Sequence, residues 1–193
     1  MEENDCLHLP VLEEQSFRGV IALSDLVDMN GSQTLADLRE YFSLSFVSEH
    51  DFFLTALKKI NEQHLSLIPV LNADGVYTGS VVTEALLEAT TLYLNAGEPG
   101  GIIILQMPAH RFSISEIGRI VESNNAKLLH LTTWTDRLLG ELMVSMKVNK
   151  IDIQDILASF ERYEYNVYQY FGENLSEDTL KNNFDNLMNY LKF

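Results

Sequence analysis

The chain contains one sequence pattern twice: HLPVL at residues 8–12 is followed by FRGVIA at 17–22, and LIPVL at 67–71 is followed by YTGSVV at 77–82. In each copy an apolar segment with a central proline leads through a short polar turn to a second apolar segment with a glycine. Two short apolar runs joined by turn residues predict a β-hairpin, and a helical segment follows each one. The repeat therefore predicts two copies of one hairpin-and-helix unit that pack together.

The two copies differ in extent. Alignment of Pro10 with Pro69 leaves the first copy, residues 1–30, without a counterpart to residues 41–59. The second copy, residues 41–95, has every part of the unit. We therefore expect one partial and one complete repeat in the N-terminal half of the sequence.

The segment that only the second copy has begins with a predicted strand at residues 44–47. Ser48 and Asp51 are three positions apart, as in an N-cap pair, and predict the start of a helix with one apolar face. Thr83 is placed to cap the helix that follows the second hairpin. These features complete the second repeat.

Glycine and proline interrupt the pattern around residues 95–101, which we interpret as the boundary between two domains. Beyond it, apolar and amphipathic segments follow in the order strand, helix, strand, strand, helix, strand. Ser113 and Glu116 form a capping box before the first of these helices, whose apolar face is expected to hold Ile114 and Ile117. This order is typical of a ferredoxin-like βαββαβ domain, an antiparallel four-stranded sheet with both helices on one face.

The last part of the sequence predicts a separate helix. Residues 176–193 place Leu180, Phe184, Leu187 and Leu191 at successive offsets of four, three and four. This spacing forms an apolar stripe along one side of a helix, and such a stripe is normally buried on the same chain or on a partner.

Composition argues against several classes of partner. The chain of 193 residues has 28 acidic and 13 basic residues, a formal charge of −15, and a surface of that sign repels nucleic acid. No apolar run approaches the ~20 residues that span a bilayer, so no membrane association is expected. The single Cys6 forms no internal disulfide and no apolar leader precedes it, which favours a cytoplasmic location.

The doubled proline strand, followed by a glycine, an apolar strand and a helix, resembles a tandem pair of CBS (cystathionine beta-synthase type) domains, and residues 101–171 resemble an ACT domain. In this order the chain is similar to CBS-ACT proteins of the acetoin-utilisation type. The resemblance implies an α+β fold: a CBS-domain pair with a truncated first repeat at 1–96, a ferredoxin-like ACT-type domain at 100–172 and a C-terminal amphipathic helix at 173–193.

CBS pairs typically bind adenosine-containing nucleotides between their repeats, with a signature of glycine, two apolar residues, Ser or Thr, two variable residues and Asp. The carboxylate accepts hydrogen bonds from the ribose hydroxyls, and the proline strand offers an apolar wall to adenine. The first copy reads GVIALSD, which keeps Asp25 but has Ala22 in place of the hydroxyl. The resemblance implies AMP, ATP or S-adenosylmethionine as the effector. The site residues that it implies are Leu9, Pro10, Gly19, Ile21, Ala22, Ser24 and Asp25.

The second copy departs further from this signature. Val82 stands at the hydroxyl position and Ala85 at the Asp position, so a ribose bound there would lose its acceptor, at about 1–3 kcal/mol for each unmade hydrogen bond. The nucleotide hypothesis therefore depends on Asp25. Beside Ser24, Asp25 has two open interpretations, a ribose ligand or a helix cap.

The ACT-like half offers one weaker candidate. The turn that usually admits a small ligand has no glycine, and His110 with Arg111 could bind a carboxylate there or belong to a solvated loop. We find no pattern of a nucleophile with a base, of paired carboxylates or of metal ligands. The chain is therefore not expected to be an enzyme or to hold a metal or a resident cofactor.

Two functions are compatible with these features. The first is a regulatory or sensor module that binds an adenosine nucleotide at a degenerate CBS site, and the alternative is a ligand-free dimerisation or interaction scaffold. A homodimer is expected in either case, because the incomplete first repeat leaves apolar surface near Phe46, Phe52 and Phe53. Upstream residues or the C-terminal helix are the other ways to cover this surface. The regulated target is not identified by the sequence.

Overall fold

The computed structural model describes residues 7–27 and 34–172, together with Phe184 and Met188, which are helical. The rest of the predicted C-terminal helix lies outside the described residues. The chain divides into two compact units, Met1–Tyr93 and Leu94–Phe193. None of the described helices is long and apolar enough to cross a bilayer.

The first unit consists of two β-hairpins with short helices. In chain order its elements are β1 (His8–Glu13), β2 (Ser16–Ala22), α1 (Ser24–Val27), a 3-10 helix (Leu35–Tyr41), β3 (Val47–Ser48), α2 (Phe53–Gln63), β4 (Leu67–Leu71), β5 (Tyr77–Val82) and α3 (Thr83–Tyr93). β1 and β2 form an antiparallel pair, and β3, β4 and β5 form a second sheet in that order, with β3 parallel to β4.

The hairpins β1–β2 and β4–β5 have the same register. Pro10 and Pro69 are the third residue of their strands, and in both hairpins the next residue pairs with the glycine of the second strand. The register then shifts by a bulge at the same point, after Val11 and after Val70. The repeat in the sequence is therefore confirmed as a repeat in the structure.

The same hydrogen bond closes each hairpin at its open end. The N–H of Leu23 donates to the Leu7 carbonyl at 2.8 Å, and the N–H of Thr83 donates to the Ser66 carbonyl at 3.1 Å. The hydroxyl of Thr83 also donates to Ser66, at 3.0 Å, instead of accepting from a helix N–H. The prediction that Thr83 caps α3 is therefore wrong, because the hydroxyl is used to hold the hairpin.

The segment between the hairpins is less regular than predicted. The strand expected at residues 44–47 is reduced to β3, because Ser43 forms a bridge with Val20 of the first hairpin whereas Val47 pairs with β4 of the second. The chain thus passes from one sheet to the other within a few residues. Leu44, in the middle of this passage, is exposed.

Ser48 and Asp51 form a turn before α2 and not its N-cap. The N–H of Ser48 donates to the Asp51 carboxylate at 2.8 Å, and the N–H of Asp51 donates to the Ser48 carbonyl at 2.9 Å. The Ser48 hydroxyl accepts from the N–H of His50 at 3.3 Å, so the polar groups of both residues are used within this turn, and α2 begins at Phe53 without a side-chain cap. The predicted start of the helix was too early.

Different elements cover the two hairpins. α2 and α3 pack over the second, where Ile68 is completely buried. Over the first, the 3-10 helix brings Leu38 against Val11 and Ile21. This cover is less complete, since Leu9, the counterpart of Ile68, remains 38% exposed.

The second unit is a βαββαβ domain. Its elements are β6 (Gly101–Met107), a 3-10 turn (Ala109–Arg111), α4 (Ile114–Ser123), β7 (Leu128–Thr135), β8 (Leu142–Val148), α5 (Gln154–Arg162) and β9 (Asn166–Phe171). The four strands form one antiparallel sheet in the order β7-β8-β6-β9, as expected for the ferredoxin-like arrangement. Side chains from both helices and from alternate strand positions form a single apolar core.

Helix α4 begins where the predicted capping box of Ser113 and Glu116 places its start. Ser113 is the N-cap, and its hydroxyl accepts from the N–H of Glu116 at 3.3 Å. Ile117 and Ile120 are buried in the core, whereas Ile114 is exposed. Ile114 was wrongly assigned to the buried face, because as the first residue of the helix it lies beyond the core that the later turns contact.

Candidate functional site

The residues expected to bind a nucleotide lie on β1, on β2 and at the start of α1. Two of them are joined directly, since the N–H of Ala22 donates to Oδ2 of Asp25 at 3.3 Å. Leu9 pairs with Ile21 across the ladder. Ser24 is the exposed first residue of α1. The structure thus brings Ala22 and Asp25 together at the open end of the first hairpin.

Gly19 and Ile21 belong to the packing of the hairpin and do not line an open cleft. Gly19 has a φ of +149°, and a Cβ built there would lie 2.6 Å from the Cβ of Phe42. Ile21 is buried with Leu38, and Pro10 is half-buried. The residues of the predicted set that remain exposed or partly exposed to a ligand are Leu9, Pro10, Ala22, Ser24 and Asp25.

Asp25 also serves the start of α1, because its bond to Ala22 is the one that the acidic residue of a capping box makes to the backbone three residues earlier, so both interpretations stay open. It lies in the first turn of this helix and accepts a hydrogen bond from Ala22, a residue that precedes the helix. This bond uses Oδ2, and Oδ1 has no hydrogen-bond partner among the described residues. The half-buried carboxylate therefore retains acceptor capacity.

His8 belongs to the same site and was not predicted. Its Nδ1 accepts a hydrogen bond from the backbone N–H of Ser66 at 3.1 Å and lies 3.0 Å from the Ser66 hydroxyl oxygen. Partial burial lowers the pKa of His8, and the nearby Asp25 carboxylate acts in the opposite direction. The imidazole is therefore favoured in the neutral form, with Nδ1 as acceptor and the Nε2 proton as donor.

The pairing of β1 with β2 brings His8 to this site. His8 pairs with Ala22 in the ladder, and Ala22 is three residues before Asp25. The repeat alignment alone did not reveal it, because the counterpart of His8 in the second copy is the buried Leu67.

The second repeat lacks an equivalent cluster. Val82 and Ala85 occupy the positions of Ala22 and Asp25, and both are exposed. Neither side chain offers a polar atom. Of the two hairpin ends that the structure describes, only the first combines a carboxylate with an imidazole.

The candidates in the second unit serve a local structural purpose. Arg111 ends the 3-10 turn, and its guanidinium donates to the Glu164 carbonyl at 3.3 Å and lies 5.7 Å from the ring centre of Tyr165. These contacts tie the turn to the segment before β9. His110 is exposed in the same turn.

Comparison with known proteins gives matches among solved structures. No family model matches the chain, and none of the curated proteins matches it. A CBS domain pair/ACT domain protein from Thermotoga maritima is 27% identical, with a TM-score of 0.44 over 49% of this chain and 78% of that one. The CBS domains of a transcriptional regulator from Streptococcus pneumoniae are 20% identical, with a TM-score of 0.39 over 45% of this chain and 73% of that one. A CBS domain-containing protein of unknown function from Bacillus anthracis is 18% identical, with a TM-score of 0.35 over 45% and 69%.

Proposed function

We propose that the first unit is a regulatory module of the CBS type that binds an adenosine-containing ligand at one site, the open end of the first hairpin. The observation that carries this proposal is the half-buried carboxylate of Asp25, one oxygen of which has no partner among the described residues. A ribose diol supplies the two hydroxyl donors that a carboxylate at such a position accepts.

The neighbours of Asp25 suit the remaining parts of a nucleoside. Leu9 is partly exposed and offers an apolar surface to a base. His8 contributes a donor at Nε2 as long as Nδ1 accepts from Ser66. The site therefore has one charged acceptor, one neutral donor and one apolar contact.

Charge favours an adenosine ligand with little negative charge. The basic side chains of Met1–Tyr93 are all engaged elsewhere: Arg18 and Arg39 with Glu13, Lys58 with Glu62, and Lys59 with the Phe46 carbonyl. A triphosphate beside Asp25 would be repelled without a compensating cation. We therefore expect the order S-adenosylmethionine, then AMP, then ATP.

Thermal unfolding with and without ligand tests this function. A ligand present at one hundred times its dissociation constant stabilises the protein by about 2.7 kcal/mol, a shift of several degrees. Asp25→Asn removes the charged acceptor and should abolish the shift. Asp51→Asn is the matched control, because Asp51 accepts the N–H three residues earlier in the same way but lies at a different turn. Absence of a shift with any adenosine compound, or an unchanged shift in Asp25→Asn, contradicts the proposal.

A second candidate, self-association, is favoured by exposed apolar side chains on the first unit. Phe46 and Phe52 are exposed as expected, whereas Phe53 is half-buried and packs against the core. Leu92 on α3 is 74% exposed, and Phe52 lies 5.9 Å from the ring of Tyr93 in an edge-to-face arrangement. We propose that the surface defined by Phe52, Leu92 and Tyr93 forms a homodimer interface.

Sedimentation at micromolar concentration tests the dimer. Leu92→Glu places a charge in the apolar surface and should shift the protein to monomer. Leu138→Glu is the control, because Leu138 is 95% exposed on a turn of the second unit. A wild-type protein that is monomeric at these concentrations would rule the homodimer out.

A further inference from the structure

A cavity of about 290 Å³ lies on the side of the second sheet that faces away from α4 and α5. Ile102, Ser145 and Lys147 line it, and they alternate along β6 and β8 with residues that pack against the helices. Successive side chains of a strand point to opposite faces, so the cavity is separate from the core. Leu94 and Ala96, which precede β6, also line it.

The cavity contains a buried cation. Lys147 is only 9% exposed, and its ammonium donates to the carbonyl of Asn95 at 2.6 Å and to that of Ala96 at 3.3 Å. No carboxylate among the described residues forms an ion pair with it. A buried charge without a counter-ion is costly, and an ammonium group has three donors, of which two are used here. The third donor and the charge are available to an anion.

The position of Lys147 is fixed by the segment before β6. Asn95 has a left-handed backbone with φ +51°, which asparagine tolerates better than most residues. Its side-chain amide donates to the Leu129 carbonyl at 3.0 Å, which anchors the segment to β7. Asn95, whose carbonyl accepts the shorter of the two bonds from Lys147, is therefore held in place.

The remaining lining combines two hydroxyls and an imidazole with apolar surface. The imidazole is that of His130, which pairs with Lys147 across β7 and β8. Thr132 and Ser145 are a cross-strand pair, so their side chains lie on the same face of the sheet two positions along from Lys147. Ile102 and Leu94 supply apolar contacts. Among the described lining residues no carboxylate is present to accept from a ligand's ammonium group.

We propose that this cavity binds a small apolar monocarboxylate, whose carboxylate group accepts from Lys147 and from the hydroxyls of Ser145 and Thr132. The apolar body of the ligand lies against Ile102 and Leu94. The volume is at the lower end of ordinary ligand pockets, about 300 Å³, which limits the ligand to a short aliphatic acid. The site is independent of the proposed nucleotide site, which lies in the first unit.

Three matched compounds test the chemistry in the ¹⁵N-labelled full chain by NMR titration. Sodium 4-methylpentanoate should shift the amide signals of Thr132, Ser145 and Lys147. The neutral 4-methylpentanamide should bind at least tenfold more weakly because it lacks the charge. L-Leucine, which has the same carbon skeleton, should also bind at least tenfold more weakly, because Lys147 repels its ammonium group and no carboxylate among the described lining residues offsets that charge. Equal binding of the amide, or no binding of the carboxylate at millimolar concentration, overturns the proposal.

Variants test the residue that is responsible. Lys147→Met should weaken the binding of 4-methylpentanoate at least tenfold. Lys150→Met is the matched control, because Lys150 also donates to a backbone carbonyl, that of Asn124 at 2.6 Å, but does not line the cavity. Should Lys147→Met fail to fold, Ser145→Val, which removes a hydroxyl and fills part of the volume, should weaken binding by a similar factor. Wild-type affinity in whichever variant folds would refute the site.

Discussion

The backbone N–H of Ser66 donates a hydrogen bond to Nδ1 of His8 across 3.1 Å. This bond joins the first strand of one hairpin to the residue that precedes the first strand of the other. The Ser66 carbonyl meanwhile accepts from Thr83 and closes the second hairpin. One titratable side chain therefore lies at the junction of the two repeats, beside the carboxylate that is proposed to bind the ligand.

The first prediction is that His8 makes the protein less stable in acid. Burial lowers the pKa of His8 below its ordinary value of 6.5, so the folded state binds a proton less readily than the unfolded chain. The contribution of His8 to the free energy of unfolding should therefore be fully present above pH 6.5 and should be lost as the pH drops through the lowered pKa of the folded state. Protonation at Nδ1 would also remove the acceptor for Ser66.

His8→Asn tests this prediction, since its amide oxygen can accept from Ser66 and does not titrate in this range. Urea denaturation at about pH 7 and about pH 5 should show a smaller loss of stability in His8→Asn than in the wild type. His50→Asn, which removes an exposed histidine, should behave like the wild type. Identical pH dependence in the wild type and His8→Asn would mean that His8 is not the sensor.

The second prediction concerns the two equivalent glycines. Gly19 has a positive φ, and a Cβ added there would clash with Phe42. A Cβ at Gly79 would meet no atom within 4 Å. Gly19→Ala should destabilise the protein by about 1–3 kcal/mol through crowding and backbone strain. Gly79→Ala should be neutral or stabilising by up to about 1 kcal/mol, because alanine restricts the unfolded chain. Thermal unfolding measures both, and equal effects would show that the hairpins have the same cover.

This difference between equivalent glycines shows what the sequence could and could not reveal. The hairpins were predictable because proline, turn and glycine recur at the same spacing, and each is a local signal. The side chains that pack over each hairpin come from segments that are distant in the sequence. Phe42 fills the space over Gly19, and no local pattern around residue 42 indicates that contact.

The third prediction concerns Tyr165, which is buried between the helices and the sheet of the second unit. Its hydroxyl donates to Glu116 at 2.7 Å, and burial, together with this carboxylate, raises the pKa of Tyr165 to about 12. The resulting stabilisation is complete below the unfolded value of about 10 and is lost as the pH rises through about 12. Phenolate absorbance should therefore show a component near pH 12 that Tyr165→Phe removes.

The same variant should also lower stability at neutral pH. Loss of a hydrogen bond to a charged acceptor costs about 1.5–3 kcal/mol. Tyr168→Phe is the control, because Tyr168 is about half exposed and should change the free energy of unfolding by less than about 0.5 kcal/mol. If both variants unfold alike, the bond to Glu116 contributes no stability.

The two candidate sites differ in the same way: one was predictable from a local motif, and the other depends on a contact between distant parts of the chain. Asp25 was found because it keeps its place in a short motif. Lys147 gave no such signal, since it alternates with apolar residues on β8 as an ordinary solvent-facing lysine would. Its ammonium group instead donates to the carbonyls of Asn95 and Ala96, which lie some fifty residues earlier in the chain and which no local pattern connects with β8.

The fourth prediction tests how the first hairpin is covered. Leu38 on the 3-10 helix is buried against Val11 and Ile21, whereas Leu35 on the same helix is 53% exposed. Leu38→Ala should cost about 2–3 kcal/mol, the lower part of the range for buried leucines, because the cluster is small and can partly collapse. Leu35→Ala should change stability by less than about 0.5 kcal/mol.

Amide hydrogen exchange distinguishes a local from a global effect of Leu38→Ala. If the 3-10 helix protects only the first hairpin, exchange should accelerate at Val11 and Ile21 more than at Ile68, which α2 and α3 cover. Uniform acceleration would indicate instead that both repeats unfold as one cooperative unit. Unchanged protection at Val11 and Ile21 would mean that the 3-10 helix does not stabilise the hairpin on which Asp25 and His8 are placed.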